Sequence, residues 1–165
     1  MDFSDLTRLK LIETKTLTEA ATSVTFTPLS GYSVYLLNCK VKNATASVST
    51  IYLYVNNDQT ATNYYAQLGT FTGASIGAGK VNTPRFAYLL ASNRFISQTT
   101  IMVDPDGYFF ALSSASEDVG AAVISDFSTI SKSATIASIT QLDVVSTTAS
   151  AFAIGSVFSL YGLET

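Results

Sequence analysis

Apolar and polar residues alternate with period two along most of this chain, and no stretch of useful length carries the roughly 3.6-residue period of a helix. In "VYLLNCKV" (34–41) Tyr35, Leu37, Cys39 and Val41 share one face, while Asn38 and Lys40, with Lys42 just beyond, share the other. The lone Cys39 thus reads as a small core residue. In "VSTIYLYVNN" (48–57) Ile51, Leu53 and Val55 point one way and Tyr52, Tyr54 and Asn56 the other, so both faces carry apolar mass. Further strands are expected at 9–17, 23–27, 63–71, 86–91, 94–103, 108–114, 121–131, 134–145 and 151–163. Turn chemistry separates most of them: Ser30-Gly31, Asn56-Asn57-Asp58, Asp104-Pro105-Asp106-Gly107, Glu117-Asp118 and the run 146–150. The glycine-rich stretch 73–79 reads as one more such loop.

About eight to ten strands at this spacing predict an all-β fold, an antiparallel β-sandwich of jelly-roll-like form. Residues 1–8 are expected to be a flexible arm and 9–165 a single domain, as no linker splits the chain. In the closing run Phe152, Ile154, Phe158 and Leu160 share a face, with Ser156 the exception. That segment is expected to close the sandwich beside the first strand, with Gly155 allowing a bulge or a close backbone approach.

Charged residues make up only 13% of the chain and mean hydropathy is +0.31, so some outer surface is expected to serve protein contact. Net charge is −3, and the nine basic residues are spread from Arg8 to Lys132 without a cluster. Nucleic acid is therefore not expected as a partner, because phosphate binding needs several converging cations. No apolar run approaches the roughly 18–20 residues of a membrane span. "MDFSDLTRLK" lacks the apolar core of a secretory signal. Asn43-Ala44-Thr45 matches a glycosylation sequon, expected to be a chance match.

Chemistry is hard to find. Histidine is absent, which removes the Ser-His-Asp and Cys-His nucleophile systems and the commonest zinc ligand. Asp104 and Asp106 could ligand calcium, but x-Pro-Asp-Gly between apolar runs is better read as a turn. Glu117 and Asp118 read as a solvated loop tip. "GASIGAGKV" (73–81) fails as a phosphate loop, since Ala74 and Val81 stand where glycine and Ser or Thr are required. No enzymatic activity, cofactor or metal site is expected. A glycan platform of Tyr64 and Tyr65 beside Asn56 and Asp58 is the alternative to simple cross-strand packing of those tyrosines.

Three stretches together resemble small virion proteins of tailed phages and related viruses. They are "LIETKTLTEAATSVTFTPLSGYSVYLLNCKV" (11–41), "LYVNNDQTATNYY" (53–65), and the ending "IASITQLDVVS" with "IGSVFSLYGLE", whose last strand is Leu160-Tyr161-Gly162-Leu163. The resemblance implies a jelly-roll-like β-sandwich that decorates a capsid, builds a vertex turret or forms a fibre or tail appendage on the virion. It also implies symmetric homo-oligomers, such as a trimer or pentamer, with the major capsid or other virion proteins as further partners. No catalytic residues come with it. On that reading Phe3 and Leu6 of the arm, and Tyr52 and Tyr54, are the expected assembly contacts. The alternative function is a carbohydrate-binding module at the receptor-binding tip of a fibre or tail.

Overall fold

The computed structural model describes residues 8–72, 75–91, 94–118 and 123–164. Strands form where the alternation is strongest, because every second side chain then meets the core. In chain order they are β1 (Leu9–Thr16), β2 (Ser23–Phe26), β3 (Val34–Lys42), β4 (Ser49–Val55), β5 (Tyr64–Thr72) and β6 (Ser75–Val81). These are followed by β7 (Arg85–Leu89), β8 (Arg94–Val103), β9 (Phe109–Asp118), β10 (Val123–Lys132), β11 (Leu142–Ser146) and β12 (Val157–Leu163). The wide sheet runs β1-β12-β3-β8-β9-β10-β5-β6 and the narrow sheet β2-β11-β4-β7, and every pairing is antiparallel.

This order is that of a jelly roll. With β5, β6, β9 and β10 set aside, the remaining strands pair first with last, second with seventh, third with sixth and fourth with fifth: β1 with β12, β2 with β11, β3 with β8, β4 with β7. A long antiparallel ribbon folded over on itself produces those partners and two facing sheets. The strands set aside arrive as two insertions that extend only the wide sheet beyond β8.

Four expectations change. Twelve strands form rather than eight to ten. "SIGAGKV", read as loop, is the edge strand β6, paired with β5 from Thr72↔Ser75 to Ala66↔Val81. An edge strand with both faces open asks little packing of its side chains, so its glycines are tolerated. Of 134–145 only 142–145 is strand, the start of β11, and the Asn56 side chain holds 138–141 just before it as a loop. At the C-terminus β12 starts at Val157; Gly155 adopts φ +80° in a turn, not a bulge, and Ile154 is left exposed instead of sharing the buried face of Phe152. Ser156, the polar exception, is buried and its Oγ accepts the Lys42 N–H at 3.2 Å.

The closing role of the last strand holds, with β12 hydrogen-bonded to β1 on one side and β3 on the other. Phe158 and Leu160 are fully buried, each worth roughly 1.5–3 kcal/mol of apolar transfer. Tyr35, Leu37, Cys39, Val41, Ile51, Leu53 and Val55 all face the core as their alternation predicts. Burial pushes the Cys39 thiol up to about 12, so it is an inert core group. The sequon does not survive folding. Asn43 is buried, and its amide donates to the carbonyls of Ser47, Leu89 and Leu90 while its Oδ1 accepts from Thr45.

Gly162 gives the closing motif a physical reason. A Cβ there would lie 2.5 Å from the Tyr32 ring, which packs flat over the glycine and edge-on to Tyr35 at 5.9 Å. Gly162→Ala should therefore lower stability by about 1–3 kcal/mol through overpacking. Chemical denaturation would measure it, and Gly162→Ala with Tyr32→Ala together should cost less than the two single changes summed.

Glu117 is not at a loop tip. It ends β9 on the inner face, 3% exposed, and its carboxylate accepts the Leu90 N–H at 3.2 and 3.3 Å. Burial raises its pKa to about 7, against the lowering effect of that N–H, and the charge of Asp126 raises it further. The folded chain thus holds this proton more tightly than the unfolded chain, whose carboxyl titrates near 4.5. Its contribution to stability is complete below pH 4.5 and is lost as pH rises through about 7. Glu117→Gln should flatten the fall in stability across that window, with a gain on the order of 2 kcal/mol at pH 8; urea unfolding at several pH values would check it.

Candidate assembly surface

The narrow sheet covers only part of the wide one, and the wide sheet's far face has nothing packed on it among the described residues. Alternation along β8 puts Phe95, Ser97, Thr99 and Ile101 inside and Ile96, Gln98 and Met102 outside. Along β9 it puts Phe109, Ala111 and Ser113 inside, with Phe110 and Leu112 outside. Register then assembles these outer residues into rows. One row runs Leu9, Leu163, Val34, Met102, Phe110; the next runs Leu11, Tyr161, Leu36, Thr100, Leu112.

Leu11 and Leu112 are more than half exposed, and Ile96 is 63% exposed. Further across, Phe127 and Phe71 meet edge-to-face at 5.5 Å, with Ile76 on the β6 edge 75% exposed. Hydroxyls fill the gaps, as where Thr14 and Ser159 bond across β1 and β12 at 2.9 Å. Charges stand at the ends of this face: Lys40, Lys42 and Arg94 at one, with Asp118 in register beside Arg94, and Lys80 at the β6 edge, lying 5.3 Å over the Tyr65 ring. A large apolar face with a charge-free centre is the composition of a protein-binding surface.

The outer face of the narrow sheet is different, because several of its polar groups bond to one another. Asp143 is buried, accepting from Thr25 at 2.6 Å and from the Gln141 amide at 2.9 and 3.0 Å. Arg85 stacks 3.4 Å over Tyr88 and donates to its hydroxyl. Tyr52 and Tyr54 lie here, and they do not form the expected contact surface. Tyr54 is 5% exposed, held edge-on by Tyr52 at 5.8 Å and by Tyr64 at 5.6 Å, and burial raises its pKa. Phe3 and Leu6 lie outside the described residues.

The four candidate glycan contacts are not brought together as a platform. Tyr64 is fully buried, its hydroxyl donating to the Asp58 carbonyl and accepting the Val55 N–H, and burial raises its pKa. Tyr65, the next residue, points to the opposite face of β5. Asn56, at φ 54°, spends its side chain on the 138–141 loop: Oδ1 accepts from Thr140 and Gln141, and the amide donates to Ser138. Asp58 pairs with Lys132 at 2.8 Å and accepts from Asn63 and Thr60. Those partners, Lys132 first, hold its pKa down to about 2. Asp104 is likewise a turn residue, its carboxylate accepting the Tyr108 N–H and its carbonyl the Gly107 N–H. The described residues contain no group of three or more His, Cys, Asp or Glu able to hold a metal.

The missed signal lay in apolar doublets: Phe95-Ile96, Ile101-Met102 and Phe109-Phe110 each load both faces of a strand. No family model and no curated protein matches the chain. Among solved structures, it is similar to a crystal structure of Scytalido-glutamic peptidase with a peptide-based transition-state analogue. That likeness has a TM-score of 0.26 and 12% identity, over 89% of this chain and 65% of the other. The chain thus spans less than two thirds of that structure, and at this level the likeness carries no activity with it.

Leu112 stands near the middle of the apolar face and supports no core contact. Leu112→Lys should leave stability within about 0.5 kcal/mol while weakening any self-association through this face about tenfold or more. Sedimentation velocity beside thermal unfolding would check both halves of that expectation.

Proposed function

We propose that this chain is a virion structural protein. It acts as a homo-oligomeric capsid decoration, vertex turret or capsid-associated appendage, working by protein–protein contact rather than by catalysis. The observation that carries the reading is the outer face of the wide sheet, apolar, hydroxyl-rich and without charge at its centre. Such a face in water gains roughly 25 cal/mol for each Å² of apolar surface it covers. Copies of the chain arranged about a symmetry axis would multiply a modest contact into avidity.

Two further points support the reading without deciding it. Jelly rolls are common among viral capsid domains, though also among lectins and other proteins, so this is an analogy of fold. The resemblance of the opening and closing segments to small virion proteins points the same way. Its Leu-Tyr-Gly-Leu ending now has a packing reason in Tyr32 over Gly162.

The test has two arms. Sedimentation equilibrium of the purified chain should give a discrete oligomer. Antibody-gold labelling of particles from the virus that encodes it should mark the shell or an appendage. A strict monomer at high concentration that is absent from particles would overturn the proposal.

A further inference from the structure

At one end of that apolar face is a cleft of about 560 Å³, bordered by Lys40, Lys42, Arg94, Ile96 and Ile154, with the buried carboxyl residue Glu117 also on its lining. Lys42 and Arg94 are directly opposed across β3 and β8, and Lys40 stands two residues from Lys42, opposite Ile96. Like charges directly opposite one another are destabilising on a sheet. Asp118 of β9 is in register with Arg94 on the far side. Among the described residues none of the three cations forms an ion pair. Ile96 and Ile154, 63% and 67% exposed, wall the same space with bare aliphatic surface. A third of the nine basic residues in a chain of net charge −3 therefore stand together beside apolar walls, outnumbering Glu117 on the same lining. The matching ligand is a short peptide that alternates carboxylates with large apolar side chains.

The chain itself carries such a peptide: Asp2, Phe3, Asp5 and Leu6 in "MDFSDL". It cannot reach the cleft of its own molecule. Leu9 pairs with Leu163, which lies level with Val34, while Lys42 is eight residues further along β3. That is about 27 Å of strand, with two strand spacings of about 5 Å to cross as well. From residue 8 back to Asp2 the chain extends at most about 22 Å. Moreover β1 runs in the same direction as β3, so the residues before Leu9 leave from the end opposite the cleft.

Resting on the assembly reading above, we propose that the Lys40–Lys42–Arg94 cleft receives residues 2–6 of a neighbouring copy. Asp2 and Asp5 meet the three cations, and Phe3 and Leu6 lie against Ile96 and Ile154. An arm at one end of the sheet and its receptor at the other make a head-to-tail contact, which closes into a ring or continues as a row.

The experiment uses full-length chains. Charge reversal of the arm (Asp2→Lys with Asp5→Lys) and of the cleft (Lys42→Glu with Arg94→Glu) should each weaken association at low salt by roughly tenfold or more. Combining the four changes should restore it. Mixing a Leu6→Cys chain with an Ile154→Cys chain under mild oxidation should yield an intermolecular disulfide, since buried Cys39 does not compete. Failure of the combined variant to recover, or cross-linking only within a chain carrying both cysteines, would overturn the exchange. If Leu112→Lys dissociates the oligomer while arm and cleft reversals are silent, the face stands and the arm docking falls. A chain monomeric at every concentration defeats both.

Discussion

The hydrogen-bond ladder that places β12 between β1 and β3 is the constraint on which the remaining architecture depends. Without it β1 would lose the strand it pairs with, and Phe158 and Leu160 would leave the core. The same ladder sets the register of Gly162 beneath Tyr32, and so joins the start of the third strand to the end of the chain. It also carries Arg8 and Glu164 to one edge, where the Glu164 N–H donates to the Arg8 carbonyl. Pairings of this kind join residues more than a hundred positions apart, so their loop-closure entropy is offset only when the whole ribbon is wound.

Unequal sheets follow from where the insertions fall. Both hairpin-like additions, β5–β6 and β9–β10, join the wide sheet past β8, and the narrow sheet gains nothing. The inner surface of the added strands therefore meets fewer apolar partners, and it is there that hydroxyls and acids are buried: Ser113, Glu117, Asp126 and Ser128. Each finds a local answer. Thr70 donates to Asp126, Ser128 donates to the Phe86 carbonyl, and Ser113 accepts from Thr99. Glu117 is answered least completely, with one backbone N–H against a nearby carboxylate, and its raised pKa reflects that. On the other side the insertions widen the apolar surface offered to a partner, so stability and assembly draw on opposite faces of the same strands.

The acidic groups divide along the same line. Asp58 sits by the cation Lys132, and its charged form is stabilised, so its contribution persists above the ordinary carboxyl range and disappears only as pH falls toward about 2. Glu117, without a cation, favours its protonated form up to about 7. The loop from Asn56 to Asn63 is held by Asp58, Asn56 and the Tyr64 hydroxyl together, which is why a stretch resembling a sugar platform is instead a brace between the two sheets.

Local pattern determined a good deal. Period-two alternation specified most of the strands, though not β6, together with their inward faces and the core position of Cys39, and turn chemistry placed Gly107 and Asp104 correctly. Those properties depend on neighbouring residues only. Which strand lies beside which could not be read, because pairing partners are set by long-range burial that leaves no mark on spacing. The apolar outer face was therefore hidden: Leu11, Leu36 and Leu112 are unremarkable singly and form a row only through register. Lys42 and Arg94, far apart in a sequence that shows no basic cluster, became neighbours for the same reason. Sequence settled most of the strands and their inward faces; the winding of the ribbon alone decided which charges and which bare side chains would share a surface.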